Sequence, residues 1–142
     1  MNDTEELLRF TVQNARMGLE GISHLLKITR DETFRTALGR QYAEYNAYVQ
    51  EGADMLRAGE KKVPEINAMA KAGSYLSAEI NSALDRSTEQ LAEMMIQGTT
   101  TGIVKLIRKR NAYNGADEGA RSLAGRLIRA EEHNVEEMKQ FL

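Results

Sequence analysis

Glu131 is the residue of this chain whose position asks most of chemistry. At about 100° per residue, Ala120, Ala124, Leu127, Glu131, Asn134 or Val135, Met138 and Phe141 or Leu142 share one narrow helical stripe with the acid at its centre. A carboxylate inside an apolar face is costly unless it is paired, hydrogen-bonded, metal-bound or protonated. The partners on offer are Gln41, Tyr45 and Tyr48 from one segment, Thr99 from another, and Asn134 three residues along. Hydroxyls and amides are donors of the kind a buried acid needs. Three readings stand open. Glu131 is a structural acid, hydrogen-bonded or protonated, which is the reading adopted; or it binds a single ion with Asn134, Gln41 and Glu44; or a shifted register exposes it.

Other chemistry-bearing residues carry blander readings. Glu20 and His24 have the i, i+4 spacing of paired metal ligands, yet both fall on an expected solvent face and read as a surface pair. His133, beside Glu132 and Glu137, reads as a solvated edge. Lys105, Arg108, Lys109 and Arg110 form a dense basic cluster, and at the C-terminal end of a helix such charges complement the dipole. Nucleic-acid binding would want a wider basic face with interleaved aromatics. No Ser-His-Asp order and no Gly-rich phosphate loop stands out, so no catalytic residue is assigned and no enzymatic activity is expected. Met17, Met55, Met69, Met94, Met95 and Met138 read as adaptable core or interface filler.

Four long helices must position these groups. The first is expected over about 4–29, capped by Asp3 or Thr4. Leu8, Val12, Ala15, Leu19, Ile22 and Leu26 form its main seam, and Leu7, Phe10, Asn14, Met17, Gly21, Leu25 and Ile28 a rougher second one. Arg9, Gln13, Arg16, Glu20, His24 and Lys27 are left for water. So wide an apolar arc predicts several neighbours, including a second subunit. Thr29 and Glu32 are spaced as a capping box opening a helix over 32–58, which Gly59 ends. Its seam is Phe34, Leu38, Gln41, Tyr45, Tyr48, Gly52 and Met55 or Leu56. Pro64 opens a weaker, partly helical crossover over 65–84, whose roughly 30 Å of rise would return the chain along the bundle. Ser87 and Gln90 start a helix over 88–111, and Asp117 one over 118–141. The run Gly98-Thr99-Thr100-Thr101-Gly102 is poor helix material and marks a kink or a close backbone approach.

With 142 residues, one Pro and no Trp or Cys, the chain reads as a single all-α domain. A net charge of −2 gives no general attraction to nucleic acid or acidic membranes. Lack of Cys excludes disulfides and thiolate metal sites. No signal-like or membrane-spanning run is found, so a cytoplasmic location is expected. The midpoints of the four helices fall near Arg16, Tyr45, Thr99 and Ala130, which gathers Gln41, Tyr45, Thr99, Glu131 and Asn134 into one layer opposite Ala15 and Gly18, with Tyr48 one turn away.

At this point the chain resembles the ferritin-like superfamily, and more narrowly its small bacterial members of unassigned function. The resemblance covers nearly the whole chain. It rests on the topology, on Leu91-Ala92-Glu93-Met94-Met95-Ile96-Gln97-Gly98-Thr99, and on Glu131-Glu132-His133-Asn134-Val135-Glu136-Glu137-Met138. It implies a four-helix bundle with a long connection between the second and third helices. Metal-binding members use a carboxylate from each of two helices and a Glu-x-x-His pair from each of the other two. Here Asn134 stands where that His would be, Ala47 follows Glu44 at the same spacing, Glu93 lies about 120° from its stripe, and the first helix reads as aliphatic at this depth. The expectation is a bundle with a polar layer in place of a di-iron centre, structural or associative in role, self-associating, and needing no cofactor. The alternative is a non-haem protein holding iron or another divalent transition metal at a degenerate site.

Overall fold

The computed structural model describes residues 2–64 and 87–142, all in helices and their connections, with no strand among them. The helices are α1 (Asp3–Ile28), α2 (Glu32–Ala58), α3 (Thr88–Ala112) and α4 (Glu118–Lys139). The crossover expected over 65–84, including Met69, lies outside the described residues.

Local chemistry sets the helix ends. Ser87 and Gln90 form a reciprocal capping box at α3, and the Asp117 side chain accepts from the Ala120 N–H at α4. Two expected caps move by a residue or two. The Asn2 side chain, rather than Asp3 or Thr4, accepts from the Glu5 N–H at 2.8 Å. Asp31, rather than Thr29, accepts from the Phe34 N–H at 2.9 Å, because Thr29 is still the C-cap of α1. At the end of α2, Gly59 is the C-cap, but the left-handed residue is Glu60, with φ 58°. Glu60 N–H reaches the Arg57 carbonyl and Lys61 N–H the Leu56 carbonyl, a Schellman closure built without glycine at its left-handed position.

α1 and α2 pack as one hairpin and α3 and α4 as another; α1 also touches α3 and α4, and α2 touches α4. Register follows from cross-helix contacts. Asn14 meets Gly102 and Tyr113 meets Glu6, so α1 and α3 are antiparallel. Arg40 meets Glu137 and Arg126 meets Glu51, so α2 and α4 are antiparallel too. Consequently α2 ends and α3 begins at opposite ends of the bundle.

The core is the apolar seam of each helix: Leu8, Val12, Ala15 and Ile22 of α1, Phe34, Leu38 and Leu56 of α2, Leu91, Ala92 and Leu106 of α3, and Leu123, Ala124, Leu127 and Met138 of α4 are all buried. Phe34 and Phe141 close one end, edge to face with ring centroids 5.0 Å apart. The second seam of α1 is not left open for another subunit as expected: Leu7, Asn14, Gly21 and Leu25 are buried within the protomer, while Met17 is 37% exposed. The solvent face of α1 also needs correction. Arg9 donates to the Lys62 carbonyl at 2.9 Å and Arg16 to the Pro64 carbonyl, so the chain leaving α2 is held along α1, and Pro64 is buried.

Candidate functional site: a polar layer around Glu131

Glu131 points from the middle of α4 into the bundle and is 3% exposed. Burial pushes its carboxyl up from 4.5 to about 8, so the group is largely protonated at neutral pH. Its Oε1 makes no hydrogen bond among the described residues. Its Oε2 faces Gly102 of α3, where an added Cβ would stand 3.2 Å away. Asn14 of α1 comes to the same place and donates from Nδ2 to the Gly102 carbonyl at 3.0 Å. An amide bound to a helical carbonyl needs a close backbone approach, which the missing side chain of Gly102 permits. α3 runs unbroken through the Gly98–Gly102 stretch, where Thr101 returns its hydroxyl to the Gln97 carbonyl.

Tyr45 of α2 enters from the other side. Its ring lies against Gly18 of α1, where a Cβ would come within 2.9 Å of it. Burial raises its hydroxyl well above the ordinary phenol range and the Glu131 charge raises it further, opposed by the neighbouring polar side chains of Asn134 and Thr99. The phenol therefore stays neutral. Thr99 is half-buried beside it.

Gln41 and Asn134 are both buried, but Gln41 serves a different carboxylate, Glu137, and Asn134 accepts from the arginine paired with it. Gln41 Nε2 donates to Glu137 Oε1 at 2.8 Å, and Arg40 donates to Asn134 Oδ1 at 2.9 Å and to both Glu137 oxygens. Burial pushes Glu137 up, but hydrogen bonds from Arg40 and Gln41, the Arg40 charge and the neighbouring His133 outweigh it and hold the group below the usual range. Bonding to Glu137 likewise raises the Arg40 guanidinium. Gln41 Oε1, Glu44 Oε1 and Asn134 Nδ2 make no hydrogen bond among the described residues, although Glu44 Oε1 lies 3.8 Å from Arg40.

The structure thus brings Glu131, Tyr45, Asn134 and Thr99 together and places Gln41 and Glu44 with Arg40 and Glu137. Tyr48 is not part of this group: its hydroxyl donates to the Arg126 carbonyl at 3.2 Å, next to the Glu51–Arg126 pair. Three contributors escape the sequence reading. Asn14 sits on the second seam of α1, so that helix is not aliphatic at this depth; one polar residue in an otherwise apolar seam was its only signal. Arg40 and Glu137 look like ordinary surface charges until the α2–α4 register is known.

The set does not fit a di-iron centre. It offers one buried carboxylate, Glu131, two half-buried ones, Glu44 and Glu137, and two amides, whereas such centres draw carboxylates and histidines from four helices. No three His, Asp or Glu side chains converge among the described residues. Arg40, with a fixed positive charge, already occupies Asn134 Oδ1 and stands beside Glu44. His24 lies 3.8 Å from Glu20 as a surface pair, and Lys109 sits over the Phe10 and Tyr113 rings. No helix among the described residues is long and apolar enough to cross a membrane. No family model, curated protein or solved structure matches the chain.

Proposed function

We propose that this chain is a structural or associative helical-bundle protein of ferritin-like topology, whose polar core layer takes the place of a metal centre and which acts as a homo-oligomer. The observation that carries this reading is the Arg40–Glu137 pair with Gln41 and Asn134 bound to it. A guanidinium of the chain itself supplies the positive charge that a metal would otherwise bring to these donors. Self-association is supported by Met17, Val104 and Ile107, large apolar side chains 37%, 43% and 40% exposed on the antiparallel neighbours α1 and α3. Light scattering of the wild type should show a dimer or larger species, and Val104→Glu with Ile107→Glu should shift it to a monomer.

A second reading, a single divalent transition ion such as iron held by Glu131, Asn134, Gln41 and Glu44, is favoured by the buried oxygens of Glu131, Gln41 and Glu44 that accept no hydrogen bond. Elemental analysis of protein purified without chelator decides between the two. A stoichiometric transition metal that disappears in Glu131→Ala would retire the structural reading.

A further inference from the structure

Three arginines line a groove on the α3–α4 hairpin, formed by side chains that take no part in the bonds around Glu131 and Glu137. Arg110 at the end of α3 and Arg121 and Arg129 of α4 enclose it together with Glu118, Ser122 and Gly125, around a volume of about 320 Å³. Arg110 Nε donates to the Arg121 carbonyl at 3.0 Å and Arg121 Nη1 to the Arg110 carbonyl at 3.1 Å. These reciprocal bonds fix two guanidinium groups in place while leaving most of their N–H donors unused. The Arg129 side chain makes no hydrogen bond or ion pair among the described residues. The same holds for ion pairs of Arg110 and Arg121, so Glu118 on the rim neutralises none of the three at contact distance.

Gly125 forms the floor. A Cβ there would lie 3.6 Å from Arg129 Nη1 and 3.7 Å from Arg110 Nε and Nη2, so two guanidinium groups of like charge converge on one glycine. Glycine inside a helix is less favourable than alanine, and repulsion among converging cations adds to that cost. An anion with several acceptor oxygens would turn the repulsion into attraction. Planar guanidinium forks match phosphate oxygens in pairs, and the Ser122 hydroxyl adds a neutral donor.

We infer that the Arg110–Arg121–Arg129 groove binds a compact phosphate-bearing ligand, of the phosphomonoester or pyrophosphate class. A small ligand fits better than a polymer, because the groove is a local hollow and the net charge of −2 exerts no long-range pull on an extended polyanion. Isothermal titration of the full chain with inorganic phosphate and with pyrophosphate, at one ionic strength set with sodium chloride, tests it. Saturable binding is expected, weakened about tenfold by Arg129→Gln and strengthened by Glu118→Gln. Melting of ligand-free Arg129→Gln should match the wild type, since the Arg129 side chain bonds to nothing described. Absence of saturable binding, or an affinity that neither substitution changes, overturns the inference. So does binding of a short oligonucleotide, or of vesicles containing phosphatidic acid, where pyrophosphate does not bind.

Discussion

Replacing Glu131 by glutamine should change how stability depends on pH, and the size of the change follows from burial. The folded chain holds this carboxyl's proton up to about pH 8, whereas the unfolded chain releases it near 4.5. Below 4.5 both states are protonated and the group contributes no pH dependence. From there to about 8 the unfolded state binds fewer protons than the folded one, so stability falls by about 1.36 kcal/mol per pH unit, roughly 3 kcal/mol by pH 7 and roughly 5 kcal/mol by pH 8. Above 8 the folded carboxyl ionises and the loss levels off. Glutamine has nearly the same shape and no proton to lose. Its amide also lacks a partner at the Oε1 position, a constant cost of about 1–3 kcal/mol at every pH. The assay is urea denaturation of both proteins at several pH values from 4 to 9, at constant ionic strength. Groups other than Glu131 titrate in both proteins and cancel in the difference. Glu131→Gln is expected to be no more stable than the wild type near pH 4 and to gain on it steadily up to pH 8. Parallel curves across that range would refute the account, since they would mean that Glu131 is not desolvated in the folded chain.

Other expectations follow from the same geometry. Glu137→Gln should cost about 1–2 kcal/mol at pH 7, a modest figure because Arg40 is partly exposed, and most of it from Gln41 and Arg40 losing a charged acceptor. Because Glu137 is held below its usual pKa, its contribution is present above about 4.5 and lost as pH falls through the depressed value, so wild type and variant should converge in acid, as denaturant titrations would show. Glu60→Gly should raise the melting temperature by the equivalent of about 1 kcal/mol, because an L side chain in the left-handed region is strained there. Gly98→Ala should stabilise by up to about 1 kcal/mol, since nothing lies within 4 Å of its added methyl, whereas Gly102→Ala should lose that gain against Glu131 and Asn14; paired melts would show the contrast.

How much of this is legible without coordinates depends on the range of the interaction. The Ser87–Gln90 box, the Asp117 cap and the stop at Gly59 are written within a few residues, and each is found where expected. Asn2 and Asp31 displace their neighbours as caps because several residues in a row can serve, and only the dihedral angles choose between them. The burial of Glu131 follows from the apolar residues above and below it on one stripe. Its immediate company does not, because that depends on the rotation and sliding of whole helices. Arg40 shows this clearly: it is exposed by composition and by neighbourhood, yet it reaches a buried amide on α4, 94 positions away. Tyr48, one turn from Tyr45, drops out for the same reason, since one turn on α2 is enough to meet Arg126 instead.

The opening turn of α1 is also the clamp on the α3–α4 corner. Asp3 takes the Gly115 N–H at 2.9 Å, Thr4 takes the Asp117 N–H at 2.8 Å, and Tyr113 leans its hydroxyl toward Glu6. Gly115 leaves no room for a methyl beside Asp3, which fixes how closely the two pieces seat. Loss of the Asp3 or Thr4 side chain would therefore loosen a corner more than a hundred positions downstream, so the first turn of α1 and the α3–α4 connection are held as one joint.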